Sequence, residues 1–165
     1  MAKSGKATKK DATDKDGRLV VARNRRAKFE YDILEVAEAG IVLTGTEVKS
    51  LRTGKASLEE AYVDIDKDEA WLIGSDIPEY VQANKMNHKP KRKRKLLLHR
   101  QEIDRIGARI SERGLTMVPL QVYFKNGIAK VEICIARGRK LYDKRQALKT
   151  KDAKRDIDRA VRGRD

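Results

Sequence analysis

Between Leu115 and Gly138 the chain reads LTMVPLQVYFKNGIAKVEICIARG, two alternating apolar runs on either side of Asn126-Gly127. Asn-Gly is the preferred pair for a two-residue hairpin turn, because both central residues must take positive φ. Once that turn is set, the strand period of two puts Val122 and Phe124 on one face, and Val131, Ile133 and Ile135 likewise on one face. Pro119 has no N–H for a ladder, so it belongs at an edge or a bulge. A hairpin of this length is not stable alone, so the rest of the chain has to cover its apolar face.

The remaining elements are short. From Leu19 onward VVARNRRAKFEYDILEVAEAGIVLTG brings β-branched and aromatic residues, and Phe29, Tyr31 and Ile33 alternate with Glu30 and Asp32 as in a half-buried strand. Glu35, Glu38, Ala39 and Gly40 interrupt the pattern and predict a bend or bulge before Ile41, Val42 and Leu43 resume it. In TEVKSLRTG, Thr46 can cap, Glu47 suits a first turn and Gly54 a stop. The resulting helix puts Val48 and Leu51 against the core, leaving Glu47, Lys49, Ser50 and Arg52 nearer solvent. Ser57 to Asp66 and Glu69 to Ser75 read as a hairpin around Asp66, Lys67 and Asp68, with Tyr62, Val63 and Ile65 facing Trp71, Leu72 and Ile73 and Trp71 in the core. Ile103, Ile106 and Ile110 have helical spacing within Arg100 to Arg113, ahead of Gly114.

Several antiparallel strands without βαβ alternation predict a mainly β fold, a small antiparallel oligonucleotide-binding-like barrel with two or three short helices and a basic C-terminal tail. The barrel is expected over residues 18–136. Residues 1–17 have almost nothing to bury and read as a disordered basic leader. Residues 137–165 are rich in helix formers, but Ala153, Ile157, Ala160 and Val161 make only a thin apolar stripe. That composition predicts a tail disordered when free and helical on a polyanion.

Charge narrows the partners. Lys and Arg number 39 against 25 Asp and Glu, a formal net charge of +14, which argues for a polyanion: nucleic acid or, on charge alone, a membrane surface. The greatest concentration lies in NHKPKRKRKLLLH, Asn87 to His99, where a basic run joins Leu96, Leu97 and Leu98, all three expected to be buried. A basic loop pinned at one end to a core can hold its charges in place for phosphate. The same run also fits an import signal or a solvated loop. The polar connection from Glu79 to Lys95 is of a length usually functional or disordered. No apolar run approaches the roughly 20 residues of a membrane span, and the N-terminus lacks a signal-peptide core, so the expectation is a soluble intracellular protein. Cys134, the only cysteine, sits in an alternating strand without a neighbouring base and reads as structural. With His88 and His99 as the only histidines, no zinc signature can be drawn. Tyr142, among Arg139, Lys140, Lys144 and Arg145, reads as a base-stacking element or as a strand-end tyrosine packed on the barrel.

With GTEVKSLRTG, PKRKRKLLLH, GLTMVPLQVYFKNG and GRKLYDKR in order, the chain resembles the bacterial SsrA-binding protein (SmpB) family from about Val20 to its end. The resemblance implies a barrel of oligonucleotide-binding type that binds the tRNA-like domain of tmRNA during trans-translation, the rescue of ribosomes stalled on messages without a stop codon. Family motifs map onto Asn24, Arg25, Glu38, Gly40, Glu47, Lys49, Ser50, Arg52, Arg92, Arg94, Lys95, Leu97 and His99 as the surface for that RNA. Glu38 would be repelled by phosphate, so it is expected to accept hydrogen bonds from a base, a 2′-hydroxyl or a neighbouring Arg. The tail motif maps onto Gly138, Lys140, Tyr142, Asp143, Lys144 and Arg145, which the resemblance places in the decoding centre and empty message channel. Relatives can carry histidine at the second position before Asp-Lys-Arg, where this chain has Leu141.

The implied partners are tmRNA and the stalled 70S ribosome through small-subunit rRNA, with alanyl-tRNA synthetase and elongation factor Tu reached indirectly through tmRNA. The resemblance further implies a cytoplasmic monomer with no cofactor, no metal, no membrane and no catalysis. Two other classes compete on composition: a generic single-strand-binding or ribosomal barrel protein, against which Tyr142-Asp143-Lys144-Arg145 argues, and a nuclease or RNA-modifying enzyme. The second needs clustered carboxylates or a nucleophile with its base, whereas the acidic residues here are scattered among lysines.

Overall fold

The computed structural model describes residues 13, 16–83, 85–111 and 114–163, with the backbone alone at Tyr142. The expected disordered leader lies largely outside the described residues. In chain order the elements are β1 (Arg18–Arg23), α1 (Ala27–Glu30), β2 (Tyr31–Ile41), α2 (Gly45–Arg52), β3 (Tyr62–Asp66), β4 (Glu69–Ile73), β5 (Arg94–Leu97), α3 (Arg100–Ile110), β6 (Leu115–Lys125), β7 (Ile128–Gly138) and α4 (Leu141–Arg162).

The β6–β7 hairpin is the longest ladder and turns where Asn-Gly predicts. Lys125 pairs with Ile128, and Asn126 and Gly127 take φ of 52° and 76°. The register slips between Pro119 and Gln121, so the missing N–H of Pro119 falls at a bulge. Around this hairpin the antiparallel order is β1-β6-β3-β4-β5-β2-β7, and β7 pairs back onto β6. The ring is only partly closed: β3 meets β6 at the single position Val63↔Met117, and β2 meets β5 at Gly40↔Leu97 and Ile41↔Leu96. Strands of four or five residues give too short a ladder to close a full barrel. With the 22-residue α4 added, the expected mainly β barrel becomes a mixed α/β fold built on a partly closed seven-stranded sheet.

Strand alternation sorts the core onto two faces. Val131, Ile133 and Ile135 join Leu51, Leu58, Leu72, Leu96, Ile106, Met117 and Val122 in the main cluster. Cys134 and Ala136, offset by one, join Ala27, Val118 and Leu120 in a second cluster on the opposite face, with Tyr31 and Ile33 against it. Ile103 and Ile106 of α3 are buried, as their spacing predicts.

Several local expectations are corrected. Phe29 lies in α1, not in a strand. β2 runs unbroken to Ile41, and its bulge falls at Ile33/Glu35 rather than just before Ile41. Gly40 stays in the ladder, where a Cβ would stand 3.2 Å from Leu97 Cβ. Thr44, not Thr46, precedes α2. Trp71 is only half-buried: it pairs with Asp64 and Lys95 on the outer face while Leu72 points in, and the Lys93 ammonium stands 5.2 Å from its ring centroid. Leu97 is 53% exposed between buried Leu96 and half-buried Leu98, because successive residues of one strand cannot all face inward.

The tail is helical from Leu141 to Arg162. Arg139 anchors its start, its N–H donating to Glu30 O at 2.9 Å and its Nε to Asp32 at 2.8 Å. Apart from half-buried Lys144 and Ala147, the described side chains of α4 are exposed.

Candidate nucleic-acid interface

The basic run does not present all of its charge. Glu47, in the first turn of α2, is fully buried between Arg92 and Arg94. Its Oε1 accepts from Arg92 Nε at 2.7 Å and Arg94 Nε at 2.9 Å, and its Oε2 from Arg92 NH2 at 2.6 Å and the Thr44 N–H at 2.9 Å. Arg94 is 0% exposed. Its NH1 donates to Ser75 O, Ser75 Oγ and Arg92 O, and its NH2 to Pro90 O, at 2.9–3.1 Å. Half-buried Arg92 spends further donors on Lys93 O and Val42 O. Burial by itself raises the Glu47 carboxyl, but the hydrogen bonds from Arg92 and Thr44 and the charge of Arg94 outweigh it and hold the group below its ordinary value.

Two more mapped residues are structural. Asn24 Nδ2 donates to Leu58 O (3.2 Å) and Pro119 O (3.1 Å), and its Oδ1 accepts from the Ala27 N–H (3.1 Å), which joins β1 to β6 and starts α1. Ser50 Oγ donates to Pro78 O at 2.6 Å. The expectation that Glu47 and Ser50 lie nearer solvent is therefore corrected, and of the other mapped residues Arg94 is fully buried and Asn24 nearly so. A charged or polar group is buried when a complete set of partners compensates it, and here those partners come from remote parts of the chain.

Most of what remains exposed is cationic, with Leu97 and His99 beside it. Arg25, Lys49 and Arg52 are exposed, Lys49 lying 5.7 Å from the Tyr80 ring centroid and Arg52 6.0 Å from that of Phe124. Lys95 is partly exposed and paired with Glu69 at 2.6 Å.

A cleft brings together Glu38, Gly40, Leu97 and His99 with Leu98, Glu102 and Lys130. Four mapped residues thus meet although they come from β2 and from the end of β5. His99 sits at the N-terminus of α3, where its N–H donates to Glu102 at 3.0 Å. Glu38 accepts from Lys130 Nζ at 2.7 Å and from the Tyr123 hydroxyl, and Arg18 and Lys125 stand at 3.7 and 3.9 Å. The hydrogen bond from Lys130, then that from Tyr123, holds the Glu38 carboxyl below its usual range. Burial, and after it Glu38, pushes the Tyr123 phenol up. The neighbouring Arg expected for Glu38 is present as Arg18, but the strong donors are Lys130 and Tyr123, which sequence reasoning misses. Their signal is the register Gly40↔Lys130 together with Tyr123↔Lys130, invisible until β2, β7 and β6 are paired.

Removing one donor has a defined effect. Tyr123→Phe keeps the ring beneath Arg18, whose guanidinium lies 4.7 Å from its centroid, and deletes only the hydroxyl. The Glu38 pKa, followed by carboxyl NMR titration, is expected to rise toward the ordinary glutamate value. An unchanged pKa would show that the Tyr123 hydroxyl does not set it and that the surrounding cations do.

His88, outside the mapped set, is buried: its Nε2 donates to Ile77 O at 2.9 Å and its Nδ1 bonds Thr46 Oγ1 at 2.9 Å. Cys134 is buried, and burial pushes its thiol up to about 11, in keeping with a structural cysteine. Among the described residues no group of three or more His, Cys, Asp or Glu is placed to hold a metal, and no helix is long and apolar enough to cross a membrane.

The tail motif is contiguous in space. Gly138 ends β7 opposite Tyr31, Lys140 precedes α4, and Tyr142, Asp143, Lys144 and Arg145 lie in its first turns. The Lys144 N–H donates to Lys140 O at 3.1 Å. The side chain of Tyr142, for which stacking and packing are both expected, lies outside the described residues.

The chain matches known proteins along most of its length. A family model described as "SmpB protein" matches residues 21–163. The SsrA-binding protein of Streptomyces avermitilis is 56% identical over 148 residues, covering 89% of this chain and 84% of its own length. That of Agrobacterium fabrum is 53% identical over 145 residues, covering 87% and 91%. A chain from a solved structure described as "tmRNA-SmpB: a journey to the center of the bacterial ribosome" is similar at a TM-score of 0.64 and 44% identity, covering 77% of this chain and 93% of that one.

Proposed function

The chain belongs to the SmpB protein family, and from that premise we propose that it grips the tRNA-like domain of tmRNA with its folded body and carries it to stalled ribosomes, where its tail reads the empty message channel. It is an RNA-binding protein of trans-translation, not an enzyme, and its partners are tmRNA and the ribosome.

The observation that carries the reading is the family match across nearly the whole chain, body and tail together. The physical features agree with it. A folded RNA is recognised by shape, phosphate and 2′-hydroxyl contacts, which suits a rigid body carrying Arg25, Lys49, Arg52 and Lys95 and a cleft lined by Glu38, Leu97 and His99. The buried set of Asn24, Glu47, Ser50 and Arg94, with half-buried Arg92, acts one step back, by fixing the loops that present those groups. A narrow RNA channel calls for a thin cationic segment, which Gly138 to Arg145 and the rest of α4 supply. Such a helix, packed only near its start, is marginal in water, so the tail exchanges with coil when free and is held helical by ribosomal RNA, Tyr142 stacking on a base. Alanyl-tRNA synthetase and elongation factor Tu are reached through tmRNA. The protein acts as a monomer in the cytoplasm.

Equilibrium binding to the isolated tRNA-like domain, with bulk transfer RNA as competitor and at several salt concentrations, tests the body half. Arg25→Ala and Lys95→Ala are each expected to weaken binding and to lower the salt slope by about 0.9 for each phosphate that is no longer neutralised. An unchanged slope would show that the residue does not touch phosphate, and no preference over bulk transfer RNA would defeat the reading.

A further inference from the structure

The connection between β4 and β5 is stapled at its base to α2. Ser50 Oγ donates to Pro78 O, and His88 links Ile77 O to Thr46 of α2. Within it the Asn87 amide mimics a strand neighbour: its Nδ2 donates to Tyr80 O at 2.9 Å and its Oδ1 accepts from the Tyr80 N–H at 3.2 Å. The Ala83 N–H donates to Tyr80 O at 3.0 Å, and Lys49 of α2 lies over the Tyr80 ring. From this pinned base Val81 and Met86 project 91% and 90% exposed, more than any other large hydrophobic residue among those described.

A lone exposed apolar side chain is ordinary. Two on one stapled loop make a specific surface. The loop carries exposed Lys85 and Lys89 and has Lys49 over its Tyr80, against a single exposed carboxylate, Glu79, in the cleft beside Val81. The cations favour a polyanion. Size argues the same way, since a stable protein interface buries roughly 800 Å² on each side around an apolar centre, more than two side chains supply, whereas a base or a ribose face is matched by one or two. Nucleic-acid-binding proteins place apolar side chains against bases in just such cationic surroundings.

We propose that Val81 and Met86 form an apolar contact with an unstacked base or a ribose face of the tRNA-like domain, beside the phosphate contacts of Lys49. This rests on the assignment of the exposed cations of α2 to that RNA. The staple to α2 fixes the base of the loop in advance, which lowers the ordering entropy that opposes the contact.

The test uses the full-length protein and the isolated tRNA-like domain in a salt titration of the wild type, Val81→Ser/Met86→Ser and Lys49→Ala. An apolar contact releases no counterions. The double variant is therefore expected to lose about tenfold in affinity with its salt slope and melting temperature unchanged, whereas Lys49→Ala loses affinity and slope together. Wild-type affinity in the double variant overturns the inference and turns the loop toward another partner, a protein included. A slope reduced as in Lys49→Ala overturns it too, because the loop would then act through charge. If the wild type itself shows no preference for the tRNA-like domain over bulk transfer RNA, the underlying assignment fails and the inference with it.

Discussion

Glu47→Ala is expected to destabilise the protein by about 3–5 kcal/mol, the cost of breaking a buried ion pair from one side. The carboxylate compensates Arg94, which is 0% exposed, and is the bidentate partner of Arg92. Without it the Arg94 guanidinium stays buried with uncompensated charge, and the Thr44 N–H loses its acceptor. At roughly 2–4 °C per kcal/mol for a chain of this size, the melting temperature falls by about 6–20 °C. A calorimetric shift of only a degree or two would mean that the triad relaxes into water. The sign with pH follows from the depressed Glu47 pKa. Its contribution is complete above the ordinary glutamate range and is lost as pH falls through the folded value, so wild type and variant converge in acid. Loss of RNA binding in Glu47 or Arg94 variants should then track the unfolded fraction, unlike loss in Lys49 or Arg25 variants.

Truncation after Arg139 is expected to abolish peptide tagging on stalled ribosomes while leaving affinity for the tRNA-like domain nearly intact. The cut is placed there because β7 runs to Gly138 and Arg139 is tied to Glu30 and Asp32. None of the buried core comes from α4, so the truncated body keeps its fold, which a thermal melt checks. Tagging in a reconstituted reaction is expected to fall to the level seen with no protein added. Tagging that survived the cut would refute the division of labour between body and tail.

The elements legible in the sequence are those whose signal is local. Asn126-Gly127 specifies its turn through the φ it tolerates, and Ile103 and Ile106 specify the buried side of α3 through their spacing. Expectations fail where a partner distant in the chain decides. Leu97 and Trp71 are apolar and read as inward-facing, but the pairing of β4 with β5 sets their direction. Tyr123 and Lys130 carry no signal of their own, because nothing in β6 or β7 alone points to Glu38, some ninety positions earlier.

Charge tells the same story at the site. The excess of lysine and arginine and the motif order are properties of the chain as written, and they suffice to point to an RNA partner and to the family. Which charges meet the RNA is a tertiary matter. Glu47 and Arg94 look like surface residues because solvation of an ion normally outweighs anything the interior offers. They are buried because folding assembles around them a complete set of donors and acceptors from Thr44, Ser75, Pro90 and Arg92. The β6–β7 hairpin, α2, α3 and the sign of the charge thus came from the order of residues alone, whereas α1 reads there as strand. The partly closed ring, the burial of Glu47 and Arg94 and the exposure of Val81 and Met86 came from contacts that exist only once the chain has folded.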